Sequence, residues 1–181
     1  IKKLVPSKHW KVIVVDIRWH TITEQFLFAS VINKENLTVM HFPYFSLPIL
    51  YRKPFVVTIH DLIIHHFSTG KASTLPVPLY KVKRLGYEQV LQYAVKRGKK
   101  IIVPLQAVKK DLVHAFHVPE TKIMVTPEGF DTNVSLAKTG TLKLPYKKYF
   151  LYVGNAYPHK NLDLLLKAFM LYQEKNPQTK T

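Results

Sequence analysis

Two histidines and an aspartate follow apolar segments of this chain, at positions where a folded enzyme could use them. His60 and Asp61 come directly after the apolar run at 56–59, and His41 lies near the end of another at 37–42. Ligands of an open parallel sheet collect beyond the carboxyl ends of its strands. A histidine there can donate to a ligand hydroxyl or transfer a proton near neutral pH. The structural alternatives are a His60 ring satisfied by a nearby backbone group, and a His41 ring packed under the proline-containing turn that follows.

The last part of the chain has a pattern that is typical of phosphate binding. The apolar run at 150–153 predicts a buried strand, Gly154 predicts a turn, and Asn161 predicts the N-cap of an amphipathic helix. Lys160 lies just ahead of that helix, whose free N–H groups and dipole favour an anion. The pattern indicates a phosphate clamp at Lys160, with a solvated surface lysine as the alternative.

A polar turn with Glu128 and Gly129 follows the predicted strand at 122–125. Glycine permits a tight or left-handed turn at such a position. The sequence supports two interpretations equally, an exit from the domain and a turn that faces an interdomain cleft.

The remaining histidines do not predict a metal site. His114 and His117 have a helical spacing that zinc could use, but no third ligand is in view. His65 and His66 fall in a predicted surface loop, where solvated side chains are expected.

Short apolar segments alternate with helical patterns along the chain. Six segments predict strands, at 12–15, 37–42, 55–59, 100–103, 122–125 and 149–153. Several are apolar throughout, as in parallel sheets that are covered on both faces. Helical patterns occupy 25–33, 79–97, 105–116 and the residues after Asn161. This alternation predicts an α/β fold with a doubly wound, Rossmann-like parallel sheet.

The helical patterns also predict caps and buried faces. Thr21 and Glu24 have the spacing of a capping box ahead of the first helix. The apolar stripe of the helix at 79–97 is predicted at Val82, Gly86, Val90 and Tyr93. The buried face of the last helix is predicted at Leu162, Leu165, Leu166 and Phe169.

Two segments without periodicity predict the domain organisation. Residues 62–78 are interpreted as a mobile surface loop, and the polar residues 132–147 as an interdomain linker. We therefore expect an N-terminal domain over 1–131 and the start of a C-terminal domain over 148–181.

The composition bounds the possible functions. The 181 residues are 47% hydrophobic, include no cysteine and carry a net charge of +16. A chain this basic can meet nucleic acid, anionic lipid or phosphorylated ligands. No recognition helix, RNA-binding sheet or zinc motif is present, so nucleic acid is not an expected partner. No signal peptide and no apolar run near the ~18 residues of a membrane span are visible, and a cytoplasmic location is expected.

In their order and spacing, these segments resemble the retaining glycosyltransferases of family 4, which have the GT-B architecture. The segments that carry the resemblance are Glu24-Gln25, His41-Phe42-Pro43, Val57-Thr58-Ile59-His60-Asp61-Leu62, Lys122-Ile123 with Pro127-Glu128-Gly129-Phe130-Asp131, and Tyr152-Val153-Gly154 with Lys160-Asn161-Leu162.

The resemblance implies two Rossmann-like domains that face a cleft, the first binding the acceptor and the second most of a nucleotide-sugar donor. By position, His60 would contact the donor sugar or the reacting centre, and Lys160 would neutralise the donor pyrophosphate. Gly154 and Asn155 would form the phosphate-side turn. The resemblance implies no metal and no cofactor, because positive side chains and helix N-termini stabilise the leaving diphosphate.

The chain also departs from the family pattern. The family's first strand with its glycine-rich loop and its pair of donor-binding glutamates are not in the sequence. Tyr157, Pro158 and His159 stand where many members have an arginine, and Pro104 begins a segment where a serine is common. We expect a fragment that is inactive alone.

Two functional expectations follow. The first is a transferase that moves a sugar, with retention, from a nucleotide-sugar to a glycan or lipid-linked acceptor. The second is a basic module of the same fold that binds an anionic membrane surface without catalysis. Its basic surface would comprise Lys81, Lys83, Arg84, Lys96, Arg97, Lys99 and Lys100. Both expectations allow peripheral contact with the inner face of the membrane.

Overall fold

Four parallel strands form the sheet of this chain. The computed structural model describes residues 9–67, 76–129 and 149–177. Strands β1 (Met40–Phe42), β2 (Phe55–Thr58), β3 (Lys100–Val103) and β4 (Ile123–Val125) lie side by side in that order. Each neighbouring pair is parallel. The predicted α/β, Rossmann-like fold is confirmed.

One row of side chains crosses all four strands and forms the centre of the core. In the register of the sheet, Phe42 pairs with Val57, Val57 with Ile101, and Ile101 with Ile123. All four side chains are buried. Full burial of such a side chain stabilises a fold by about 1.5–3 kcal/mol, so a shift of any one strand would cost several of these contacts.

Five α-helices accompany the strands in the described ranges. They are α1 (Ala29–Lys34), α2 (Ile63–His66), α3 (Val77–Arg97), α4 (Gln106–Phe116) and α5 (Leu162–Lys175). No helix among the described residues has both the length and the apolar character needed to cross a membrane.

A π-helical turn, Glu24–Phe28, leads directly into α1. The predicted capping box is half formed ahead of it. The Glu24 N–H donates to Thr21 Oγ1 at 3.2 Å, as a capping box requires. The Glu24 carboxylate instead accepts from the N–H of His20, at 2.6 Å. This bond fixes the backbone of His20 against the start of the helix.

The chain divides into two compact units. The first comprises Ile1–Asp61 and Arg84–Pro127, and contains the sheet. The second comprises Leu62–Lys83 and Glu128–Thr181, and contains α5. The predicted linker at 132–147 lies outside the described residues, and the predicted domain boundaries stay a prediction.

Two predicted strands are wrong. Residues 12–15 and 149–153 have no strand structure, and Val14 and Val153 are 74% and 84% exposed. Both segments have the apolar composition of a strand. A strand also needs a neighbour for its backbone hydrogen bonds, and composition alone does not provide one.

The predicted helix faces are wrong in part. Val82 is exposed, and the residues that α3 buries are Leu91, Ala94 and Val95. Only the last turns of α3 therefore contribute to the core. Helix α5 buries no residue, and its four predicted core positions are at least partly exposed.

Two loop and helix assignments also change. Residues 63–66 form the short helix α2 inside the predicted loop at 62–78, so His65 and His66 are helical. Residues 68–75 of that loop lie outside the described residues. Helix α4 ends at Phe116, and His117 has a left-handed backbone with φ 52°. His114 and His117 therefore do not share a helix face.

A pair of tyrosines permits a test of the core. The Tyr51 hydroxyl is buried without a hydrogen-bond partner in the described structure. The Tyr93 hydroxyl donates to the Tyr51 carbonyl. A buried polar group that loses its partner costs about 1–3 kcal/mol. We expect Tyr51→Phe to leave the free energy of unfolding unchanged or to raise it, and Tyr93→Phe to lower it by about 1 kcal/mol. Urea denaturation measures both, and a loss above about 1 kcal/mol in Tyr51→Phe would contradict this view of the core.

Candidate active site at the carboxyl ends of strands β1 and β2

The carboxyl ends of β1 and β2 bring the predicted residues His41 and His60 to one edge of the sheet. The two strands are parallel neighbours, with His41 opposite Val56. His41 Nε2 lies 2.9 Å from Thr58 Oγ1, which connects the two strands through their side chains. The His41 ring is exposed at this edge. It is therefore accessible to solvent rather than packed under the turn, and its role in a ligand site stays a prediction.

The imidazole of His60 forms a hydrogen bond with the backbone directly after β1. His60 Nε2 lies 3.0 Å from the carbonyl oxygen of Pro43. A carbonyl oxygen only accepts, so Nε2 carries the proton of this hydrogen bond. In a neutral ring Nδ1 is then the acceptor nitrogen. This is the contact that the structural alternative for His60 predicted, and a catalytic role for His60 stays a prediction.

An array of aromatic rings lies beside His60. The ring of Tyr44 is nearly parallel to that of His60, at 27° and 6.4 Å between centroids. The rings of His20 and Tyr44 form a T-shaped pair with centroids 5.9 Å apart, and the ring of Trp19 lies 4.9 Å from that of His20. We call Trp19, His20 and Tyr44 the aromatic cluster. The sequence analysis did not identify it, although Tyr44 directly follows the His41-Phe42-Pro43 segment.

Acidic and phenolic groups complete this edge. Burial and the nearby Asp61 carboxylate raise the pKa of Tyr44. The pKa of Tyr87 is also raised, by burial first and then by Tyr44, Asp61 and Glu88. Phe45 lies between the tyrosines, 4.4 Å from Tyr44 and 4.8 Å from Tyr87. Both phenols thus stay protonated at neutral pH and can donate or accept hydrogen bonds.

The side chain of Gln25 fixes the loop that carries Tyr44. Its Oε1 accepts from the N–H of Ile49 at 2.9 Å, and its Nε2 donates to the carbonyl of Leu47 at 3.3 Å. Leu47 is fully buried, so this contact attaches the loop to the core. Gln25 therefore acts on the position of the loop rather than on a ligand.

A small cavity lies next to the base of the first helix. It has a volume of about 120 Å³ and is lined by Val15, Ile17, Glu24 and Phe28. Glu24, whose carboxylate accepts from the His20 N–H, is the charged residue among these four. None of the predicted site residues lines it.

The predicted donor-side turn lies in the second unit. Gly154 has φ +151°, and a Cβ at this position would lie 2.9 Å from the Tyr152 hydroxyl. That hydroxyl donates to the carbonyl of Asn155 at 2.8 Å, while Asn155 Oδ1 accepts from the Tyr157 N–H at 3.3 Å. A glycine turn is present where the sequence predicted one, and hydrogen bonds between neighbouring residues hold it.

The prediction that Asn161 caps α5 with its side chain is wrong. Asn161 directly precedes the helix, but its backbone is left-handed, with φ 49°, and its side chain makes no capping hydrogen bond. Its carbonyl instead accepts from the N–H groups of Leu164 and Leu165. Lys160 ends a 3₁₀ turn, Pro158–Lys160, and is exposed. The first turn of α5 is therefore not capped by Asn161.

The predicted residues Glu128 and Gly129 are exposed and follow β4. Within the described ranges, no group of three or more His, Asp or Glu side chains is arranged to hold a metal ion.

A comparison with protein families identifies the family to which this chain belongs. The model of Glycosyltransferase Family 4 matches residues 5–134. The chain belongs to Glycosyltransferase Family 4. Its general function is therefore glycosyl transfer, from a sugar donor to an acceptor. No curated protein matches the chain significantly.

The family 4 match covers one part of the candidate site. It includes His41, His60, Asp61, Glu128 and Gly129. It ends before the turn and helix that begin at Gly154, so the predicted donor-side residues of this family 4 chain stay a prediction.

The Gln25 contacts give a test of how the site is positioned. Gln25→Ala removes the acceptor for the Ile49 N–H, so this amide should exchange with solvent at least tenfold faster. Gln25→Glu keeps an acceptor oxygen and should protect Ile49, while losing the donor to Leu47. Hydrogen exchange followed by NMR measures both variants. Equal exchange of Ile49 in wild type and Gln25→Ala would refute this role.

Proposed function

We propose that this chain is part of a retaining, nucleotide-sugar-dependent glycosyltransferase that acts on a glycan or lipid-linked acceptor. The observation that carries the proposal is the family match over residues 5–134. The location of His41 and His60 at the carboxyl ends of adjacent parallel strands supports it, because open α/β sheets bind ligands there.

His60 is proposed to act at the reacting centre. Its ring is held by the Pro43 carbonyl and faces Tyr44, which fixes its orientation before a substrate binds. Because the ring is already fixed, no free energy is spent on orienting it when the transition state forms. It would contact the transferred sugar and polarise the centre by hydrogen bonding rather than by forming a covalent bond.

The start of α5 is proposed to bind the donor phosphates. Its first amides are not capped by the Asn161 side chain, and Lys160 is exposed beside them. Uncapped N–H groups and a nearby cation favour a diphosphate. These groups would stabilise the charge of the leaving nucleotide, and no metal would then be required.

Substitutions at the two proposed positions test the function in the full-length protein. We expect His60→Ala to lower kcat about 10²–10⁴-fold, the range for loss of a positioned histidine. We expect Lys160→Ala to lower kcat about 10²–10³-fold by loss of charge stabilisation. Release of nucleotide from a panel of nucleotide-sugars, measured with a glycan acceptor, gives the rates.

Matched controls separate these effects from general damage. His114→Ala removes an exposed histidine of α4, and Lys167→Ala an exposed lysine of α5. Both should keep wild-type rates, and circular dichroism should show all four variants folded. Wild-type rates in both His60→Ala and Lys160→Ala would overturn the assignment of the site.

A second function, contact with an anionic membrane surface, is favoured by one observation. Lys96, Arg97, Lys99 and Lys100 are exposed where α3 ends and β3 begins. Nearby, Lys122 Nζ donates to the carbonyls of Val95 and Lys96. Because β2 and β3 are parallel, this basic segment lies at the sheet edge opposite His60. The protein would be a cytoplasmic enzyme whose basic edge rests on lipid.

Vesicle binding tests this surface. Each cation near an anionic membrane contributes about 1 kcal/mol, so the triple variant Lys96→Gln, Arg97→Gln, Lys99→Gln should bind roughly a hundredfold more weakly. Sedimentation with vesicles of phosphatidylglycerol and phosphatidylcholine at low salt measures it. The control variant Lys34→Gln, Lys110→Gln, Lys167→Gln has the same net charge. Equal loss in both variants would show that no defined surface is used.

A further inference from the structure

We propose that a contact between the rings of Phe67 and His159 holds the turn that carries Lys160, and so positions Lys160 before the donor binds. The inference rests on the proposed function in one respect, that Lys160 binds the donor phosphates. It adds two positioning residues, Phe67 and His159, which act on the turn and do not touch the donor.

One residue of the donor-side segment is covered by other parts of the chain. Residues 149–161 are exposed with a single exception, His159, which is half-buried. The centroid of its ring lies 5.8 Å from that of Phe67 and 6.0 Å from that of Tyr157, and both pairs are tilted. Aromatic pairs attract each other at centroid separations of about 4.5–7 Å. His159 is therefore the residue through which this segment packs most closely.

The partner ring of Phe67 is presented by a short helix that is itself anchored. Phe67 directly follows α2, and its N–H donates to the carbonyl of Ile63 at 2.8 Å. Leu62, ahead of α2, is buried, and its carbonyl accepts from two N–H groups of the helix. Both Phe67 and His159 belong to the second unit. The contact therefore attaches the turn to a helix whose own start is fixed in the core.

Hydrogen bonds of the turn connect the His159 ring to Lys160. The Lys160 N–H donates to the Tyr157 carbonyl at 2.8 Å, and the Asn161 N–H donates to the Pro158 carbonyl at 3.1 Å. Pro158 also has a fixed φ. With the neighbouring ring of His159 held, the backbone of Lys160 cannot move independently. A backbone that is already ordered leaves only the lysine side chain to be ordered by a ligand.

Substitution of either ring should change KM for the donor and not kcat. Without the contact, the turn must be ordered whenever a donor binds, and this cost is equal for the bound donor and for the transition state. We expect His159→Ala and Phe67→Ala in the full-length protein each to raise the donor KM about three- to tenfold, with kcat within about twofold of wild type. His159→Phe keeps a ring and should restore most of the lost affinity. Nucleotide release at varied nucleotide-sugar concentration measures both constants.

A double variant tests whether the two rings act as one contact. Phe67→Ala combined with His159→Ala should raise KM no more than the larger single effect, because each substitution removes the same interaction. Ile64→Ala, which truncates an exposed apolar side chain of α2, should keep the wild-type KM. Effects that multiply in the double variant would overturn the inference. An increase in KM for His159→Ala that Phe67→Ala does not share would also overturn it, because His159 would then touch the donor directly.

The contact itself is tested without substrate. The ring current of Phe67 should displace the C–H resonances of the His159 ring in NMR spectra of the full-length protein. Phe67→Leu keeps an apolar side chain and should move these resonances, whereas Ile64→Ala should leave them in place. Resonances of His159 that do not respond to Phe67→Leu would overturn the inference.

Binding of nucleoside diphosphates separates this inference from the proposed function. The probes are uridine, guanosine and adenosine diphosphates, measured by calorimetry. Sugar transfer that Lys160→Ala impairs, with wild-type donor KM in His159→Ala and Phe67→Ala, would overturn the inference alone. Diphosphate binding that both ring variants weaken, without transfer from any nucleotide-sugar, would support the inference and overturn the proposed function.

Discussion

The parallel register of the four strands is the constraint on which the first unit depends. The buried row of Phe42, Val57, Ile101 and Ile123 fixes how far each strand extends past its neighbour. With β1 and β2 in this register, His41 reaches Thr58, and the turn after β1 brings the Pro43 carbonyl to His60. The core therefore sets the geometry of the site, and the site residues contribute little to the burial that holds them.

Charge is separated along the strands of this unit. Exposed lysines and an arginine lie where α3 ends and β3 begins, while Asp61 lies beyond the opposite end of β2, near Tyr44. A uniformly positive surface would attract anions to the edge that carries His60 as well as to the opposite one. The separation gives the two ends of the strands a different electrostatic character, within a chain of net charge +16.

The sequence predicts the parts of this fold that local composition determines. Strand β3 has its predicted bounds, and β2 and β4 differ from prediction by one residue at one end. The strand predicted at residues 12–15 is absent because strand formation requires a pairing partner, which local composition does not determine. The Gln25 contacts and the ring pair of Tyr44 and His60 join residues 22–24 and 16 positions apart, so no local pattern reports them. The edge of the sheet was predictable, whereas its ring contacts were not.

The π-helical turn at Glu24–Phe28 has a consequence for variation in chain length. A π turn contains one residue more than the α-turn it replaces. Removing one residue there would restore regular α-helix but rotate everything before it by about 100° relative to α1. Gln25 would then lose its hydrogen bonds to Leu47 and Ile49, or Ala29 and Ile32 would leave the core. This turn therefore fixes the phase between the site and the core, and a change of chain length within it would displace one or the other.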